Sequence, residues 1–269
     1  MPTDKRQRQR DNSRARQEAI RAAQKQSARR RQIFKTVLAI AAIVGVLFLG
    51  GLIGGGGSGD DEPAASKDTT STTVASPSTK PGKTPCPPDE GTAERKVTFD
   101  GRPKDCLEDG KEYTATVETD AGTFKVELDR KNAPKTTNNF VFLARHHFYD
   151  GVSYHRVIPG FMIQGGDPEG TGSGGPGYKF NDEIPEGHKY TVGEIVMANS
   201  GANTQGSLFF IVIGPQGEGL PPNYSPFGKV VEGLDVVKKI EADGNADPQS
   251  NGVPPKVLHK MIKVTITES

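Results

Sequence analysis

Tryptophan is absent from the chain and cysteine nearly so: Cys86 and Cys106 are the only two among 269 residues. Two thiolates with no adjacent histidine cannot complete a four-ligand zinc site, and the 19 residues between them exclude a C-x-x-C redox pair. A disulfide and a pair of free thiols remain, and an oxidising compartment would select the disulfide. No internal repeat is visible. No charged residue occurs between Lys35 and Asp60, and large apolar residues are scarce from 55 to 95. These gaps divide the chain before any motif does.

Charge divides it further. The net charge of +1 hides a first segment, residues 1–35, with twelve Lys or Arg against three acids, and a remainder with 22 basic and 30 acidic residues. From Val37 to Ile53 every residue is apolar or Gly, "VLAIAAIVGVLFLGGLI". A helix from there to Gly57 would span roughly 30 Å, the thickness of a bilayer's hydrocarbon core. We therefore expect a transmembrane helix over 36–57 and a basic cytoplasmic tail over 1–35, with everything beyond on the outer face. The alternative is a signal peptide cleaved before secretion, but the basic region is long for one and glycines follow the apolar run. The tail's charge is accounted for by the positive-inside rule, so no nucleic-acid partner is assigned to it. Residues 58–85 read as a flexible linker, too poor in large apolar side chains to offset the entropy of ordering them. Residues 86–111 form a lead-in segment closed by the expected Cys86–Cys106 disulfide, and 112–269 the folded domain.

Within that domain two alternating runs, Tyr113 to Glu118 and Thr123 to Leu128, flank Asp120-Ala121-Gly122 and predict a hairpin. "NAPKTTNNFVFLARHHFYDG" predicts a helix, with Asn132 as a cap, Pro134 in the first turn and Gly151 as the stop. Strand-like runs return at "EIVMAN", "LFFIVI", "FGKVV" and "KMIKVTITE", with a short helix at "LDVVKKIEA". Many short strands and two helices argue against repeated βαβ units and for a mainly β domain.

The stretch Gly170-Thr171-Gly172-Ser173-Gly174-Gly175 satisfies G-x-G-x-x-G. A dinucleotide site needs a strand before that pattern and a helix opening from it, so that backbone N–H groups meet the pyrophosphate. Pro176 and Gly177 follow instead, so the glycines are read as a mobile loop and no nucleotide is assigned.

"YHRVIPGFMIQGGDP" (154–168), "VMANSGANTQGSLFFIVI" (196–213) and "LPPNYSPFGKV" (220–230), in that order, resemble the signature blocks of the cyclophilin family of peptidyl-prolyl isomerases. Behind its tail, span and linker the domain resembles a membrane-anchored, bacterial-like form of the family. The resemblance implies a closed eight-stranded antiparallel barrel with two capping helices, activity on proline-containing polypeptides, no cofactor, no metal, and a monomer.

Rotation about an X-Pro bond faces a barrier of about 18–20 kcal/mol, because amide resonance must be broken. No covalent bond changes. A pocket that grips the proline ring, a wall against water and a donor aimed at the prolyl nitrogen suffice, and arginine suits the last role because it stays charged and carries a fixed fork of N–H groups. By resemblance to the family motif, Arg156 is that donor. Phe161, Met162, Phe210 and Leu220 match the proline pocket, Gln164 a side-chain hydrogen bond, and Ala198 with Asn199 the edge along which substrate backbone lies.

Three positions depart from the common family pattern: Gly219 stands where many members have Trp, Tyr224 where many have His, and Leu208 where many have Gln. In members with that Trp the indole contacts cyclosporin, so Gly219 weakens the case for drug binding more than the case for catalysis. His155, neighbour to Arg156, is expected to point the other way along a strand and to be structural. His146 and His147 are expected on the helix surface or in packing. With no acid or nucleophile in the same blocks, a Ser/His/Asp hydrolase is not supported. The rival of another class is a non-catalytic module that holds proline segments in the same groove.

Overall fold

The computed structural model describes residues 79–269. The tail of residues 1–35, the span expected over 36–57 and most of the 58–85 linker lie outside the described residues. Among the described residues no helix is long and apolar enough to cross a membrane.

Eight strands form one antiparallel sheet. In chain order they are β1 (Tyr113–Thr119), β2 (Gly122–Leu128), β3 (Arg156–Ile158), β4 (Met162–Gly165), β5 (Glu194–Met197), β6 (Phe209–Val212), β7 (Pro226–Glu232) and β8 (Met261–Glu268), and they neighbour one another in the order β3-β4-β6-β5-β7-β2-β1-β8. Every ladder is antiparallel. The sheet curls into a half-barrel in place of the continuously closed barrel expected. Its ends meet only where the segments leading into β3 and β8 touch, through Tyr154 N–H to His259 O (2.9 Å), Met261 N–H to Val152 O (2.9 Å) and a Ser153–Lys260 bridge.

The expected hairpin is present, with Thr119 paired to Gly122 across a two-residue turn. The long helix is α1 (Pro134–Arg145), with proline in its first turn as the sequence predicts. Asn132 does not cap it: its amide bonds Asp129, and the orphan N–H groups of Lys135 and Thr136 donate to the Glu183 carboxylate at 3.1 and 2.8 Å. A carboxylate at a helix N-terminus answers both the missing acceptors and the dipole, and here it arrives from 47 or more residues away. A short helix, α2 (Pro215–Glu218), was not foreseen, whereas α3 (Leu234–Ala242) falls on "LDVVKKIEA".

The core lies inside the curled sheet and under α1. Phe140, Tyr149, Phe209 and Phe227 form its aromatic centre, Phe140 stacking on Tyr149 at 4.9 Å between centroids. His146 is buried against Phe142, with its Nδ1 on the Phe142 carbonyl, and burial lowers its pKa. His147 joins the Asp150 carboxylate to the Thr92 carbonyl. Both are packing residues.

Cys86 and Cys106 are bonded, with Cα atoms 5.4 Å apart. The disulfide closes a strap over the domain: Gly82 N–H bonds Arg102 O, Cys106 N–H bonds Asn138 Oδ1, and Asp89 pairs with Arg145. Thr92 and Lys96 N–H groups take the Arg145 and His146 carbonyls at the C-terminal end of α1, groups that a helix leaves without internal partners.

Candidate active site

The site is built on the outer face of β3, β4, β5 and β6. Strand alternation sends Val157, Ile163, Ile195 and Ile211 into the core. Their neighbours Met162, Val196, Phe210 and Val212 form a second apolar cluster on the other face, with Tyr190 buried among them and Ile158, Phe161, Ala198, Leu220 and Tyr224 around the edge. In the ladders Arg156 pairs with Gln164 and Gln164 with Phe210, so donor, amide and aromatic ring stand in a row across three strands.

This row opens into a cleft of about 460 Å³. Arg156, Phe161, Met162, Gln164, Phe210, Leu220 and Tyr224 line one end. The far end is lined by Glu169, by residues 172–179 of the glycine run, and by Ser200, Thr204 and residues 206–208. Ala198 packs against the apolar cluster at the first end, and Asn199, next in sequence, also lines the cleft. Every site residue expected from the sequence is therefore brought to one cleft.

Arg156 is half-buried and held on three sides. Its Nη1 donates to Gln164 Oε1 (3.3 Å), its Nε to the Asn251 carbonyl (3.0 Å) and its Nη2 to Asn251 Oδ1 (2.7 Å). Burial lowers its pKa from the ordinary arginine value, with Tyr224 acting in the opposite sense; a guanidinium is not deprotonated in proteins. Asn251 escaped sequence reasoning. The available signal was "SNGVPP": an Asn before Gly marks a tight turn, and Asn251 has φ +53°.

Phe210 is 5 % exposed and meets Tyr224 edge-on at 5.5 Å. Tyr190 fixes that rim: its hydroxyl donates to the Tyr224 carbonyl (2.7 Å) and accepts from the Tyr224 N–H (3.0 Å). Leu220 follows α2, and a Cβ added to Gly219 would make only ordinary contacts, the nearest 3.5 Å away. Asn199 is steadied by donation from its Nδ2 to Asn223 O (2.8 Å).

His155 is structural, as expected, though not by strand alternation. β3 begins at Arg156, so the preceding residue is outside the strand's period, and the His155 ring lies buried behind the site with Nε2 3.2 Å from the Gln164 amide nitrogen. Burial lowers its pKa, which keeps the ring neutral and able to accept from Gln164. It does not line the cleft.

The glycine run, expected to be mobile, is tied to Asp167. That carboxylate is fully buried and accepts from the N–H groups of Glu169, Thr171, Gly172, Ser173 and Gly174 at 2.6–3.2 Å and from the Thr171 hydroxyl at 3.1 Å. The run does form an anion-binding nest of successive amides, but the anion is the chain's own. A Cβ on Gly174 would lie 2.1 Å from Asp167 Oδ1, so that position admits no side chain. Burial acts to raise the Asp167 pKa, and the hydrogen bonds to Glu169, Gly174, Gly172 and Thr171 outweigh it, leaving the value below normal. Among the described residues no group of three or more His, Cys, Asp or Glu could hold a metal ion.

Comparison with known proteins identifies the family. The family model for cyclophilin type peptidyl-prolyl cis-trans isomerase/CLD matches residues 114–266. The chain is 44% identical over 136 residues to peptidyl-prolyl cis-trans isomerase CYP18-2 of Arabidopsis thaliana, covering 49% of this chain and 82% of that one. It is 47% identical over 130 residues to peptidyl-prolyl cis-trans isomerase-like 3 of Gallus gallus, covering 47% and 80%. Among solved structures it resembles a cyclophilin type peptidyl-prolyl cis-trans isomerase of Cryptosporidium parvum, with a TM-score of 0.54 at 32% identity, over 59% of this chain and 99% of the other. The same protein solved in the presence of the dipeptide Ala-Pro gives 0.53 at 32% identity, over 58% and 99%.

Proposed function

Because the chain belongs to the family of cyclophilin-type peptidyl-prolyl cis-trans isomerases, we propose that it turns X-Pro bonds with Arg156 as the donor to the prolyl nitrogen. It is a peptidyl-prolyl isomerase. The observation that carries the residue assignment is the row Arg156–Gln164–Phe210 at one end of the cleft, a fixed cation beside an apolar ring-sized floor. Phe210, Met162, Phe161 and Leu220 take the proline ring, Gln164 and the edge at Ala198 and Asn199 take the substrate backbone, and Tyr224 closes the rim. As the amide twists, its nitrogen lone pair is released from resonance and accepts from Arg156. The guanidinium is already oriented by Gln164 and Asn251, so no reorganisation is needed at the moment of rotation.

The reading extends to place. A basic tail, an apolar run and a polar tether ahead of the domain support a single-pass anchor with the isomerase facing outward and acting on extracytoplasmic polypeptides; the disulfide accords with an oxidising compartment.

The test is a protease-coupled isomerisation assay. Arg156→Ala is expected to lose on the order of 10² to 10³ in kcat/KM, about 3–4 kcal/mol, while folding normally. Arg156→Lys recovers little, since an ammonium on a flexible stem does not reproduce the planar fork. A proline-holding module would instead retain peptide binding in both variants and show no isomerase activity in the parent.

A further inference from the structure

Residues 79–111 precede the segment matched by the family model, yet they touch residues that line the cleft. The contact is Phe99, which is 4 % exposed. Its ring lies 5.1 Å from Phe142, 5.2 Å from His146 and 6.3 Å from Tyr178, centroid to centroid. Its N–H donates to the Pro176 carbonyl at 2.9 Å. Its own carbonyl occupies the space beside Gly177, where an added Cβ would lie 2.7 Å away, and Gly177 has φ +92°. Only glycine fits there, by conformation and by space.

The contact passes onward through the far wall. Pro176 and Tyr178 line the cleft. The Tyr178 hydroxyl donates to Asn139 Oδ1 (2.6 Å), and Asn139 Nδ2 donates to the Gly206 carbonyl (2.8 Å). A Cβ on Gly206 would meet the Pro176 ring at 3.2 Å, so the two lining segments are in close contact. Phe99 thus supports from behind the wall that faces whatever flanks the proline. Among the described residues the strap's apolar side chains, Val97, Phe99, Cys106 and Leu107, pack on the main core, and none belongs to the cluster at the Arg156 end.

We propose that the disulfide-closed strap is part of the substrate site, with Phe99 a positioning residue that sets the far wall of the cleft and so governs turnover of extended peptides, leaving the proline pocket alone. This rests on the isomerase reading. The occupant of the far wall is the polypeptide next to the X-Pro bond, not a second ligand.

The test uses the full-length chain and two substrates followed by NMR exchange. N-acetyl-Ala-Pro-amide is confined to the proline pocket, and an eight-residue peptide with a central Ala-Pro spans both ends. Phe99→Ala is expected to leave the dipeptide rate within about twofold and to lower octapeptide kcat/KM about five- to tenfold through KM, the scale of losing one ordered contact segment. Phe99→Leu, which refills most of the volume, should restore it. Gly177→Ala, which pushes the loop off Phe99 from the other side, should reproduce the octapeptide-selective loss, and it carries the test together with Phe99→Leu if Phe99→Ala does not fold. Equal losses on both substrates, or wild-type octapeptide turnover in Gly177→Ala and in whichever Phe99 variants fold, would overturn the proposal. A parent protein without activity on either substrate would instead overturn the isomerase reading beneath it.

Discussion

The two ends of the cleft are made by different means. At the proline end the central lining side chains stand on strands, and a two-residue period decides which of them face out: Arg156, Met162, Gln164 and Phe210 outward, Val157, Ile163 and Ile211 inward, with Phe161, Leu220 and Tyr224 added from adjoining turns. At the far end the lining is loop, held from within by the buried Asp167 a few residues ahead of it and set in place by groups distant in sequence, Asn139 on α1 and Phe99 on the strap. A short-range rule builds the first and long-range contacts build the second. Substitutions at the first should therefore change the chemistry for every substrate, and substitutions at the second should change stability or choice of substrate.

Beyond Arg156 itself, the largest effect that would sharpen this contrast is at Phe210. Removing the ring deletes the apolar floor, and losing about 1.5–3 kcal/mol of burial corresponds to roughly ten- to a hundredfold in kcat/KM, equal for short and long peptides. A loss restricted to long peptides would break the division. Next comes the strap's covalent closure. Reduction of Cys86–Cys106 removes a loop constraint across a sequence separation of 20, worth roughly 3 kcal/mol in chain-entropy terms, and should appear as a lower urea midpoint with turnover of N-acetyl-Ala-Pro-amide unchanged.

Asp167 provides a test by pH. Its folded pKa lies below the ordinary value, so its stabilising contribution is fully present above the unfolded pKa of about 4 and is lost as pH falls through the folded value. The far wall should loosen below about pH 4, seen as faster amide exchange at 171–174. Asp167→Asn should cost about 1.5–3 kcal/mol at neutral pH and abolish that acid transition. Between about pH 6 and 9 the isomerase rate should be flat in both proteins, because no acid or base takes part in the rotation.

The same division explains what could be read from sequence. Seven-residue alternation exposed β1 and β2, and "LDVVKKIEA" exposed α3, because in these segments local pattern and tertiary burial coincide. The family-like blocks carried the proline end for a similar reason: its residues lie in three short stretches, on strands or in the turns beside them. Asn132 failed as a cap because a stronger acceptor, the Glu183 carboxylate, reached the helix from another loop. The glycine run matched a phosphate motif because nests of N–H groups are general anion sites, and only the fold reveals that Asp167 fills this one. Nothing local in "VTFDG" marks Phe99 as support for a wall that lies more than seventy residues later.

Asn251 tests the boundary between the two kinds of construction, since it is a loop residue that acts on the strand-borne end. It holds Arg156 through two atoms, its carbonyl at 3.0 Å and Oδ1 at 2.7 Å. Substitution removes the second and leaves the first. A hydrogen bond to a charged group is worth more than the usual 0.5–1.5 kcal/mol net, but this one is exposed to water, which brings it back to about that range, so Asn251→Ala should lower kcat/KM about two- to tenfold, in kcat and alike for dipeptide and octapeptide. Alanine at φ +53° also strains the turn, and that would lower stability whether or not Arg156 is involved. Asn251→Gly separates the effects: it relieves the strain, keeps the carbonyl and still lacks Oδ1, so its rate should match the alanine variant while its urea midpoint does not fall as far. The decisive measurement is the double-mutant cycle. If Asn251 acts by orienting the guanidinium, Asn251→Ala costs nothing further once Arg156 is alanine, whereas a purely structural role predicts additive losses.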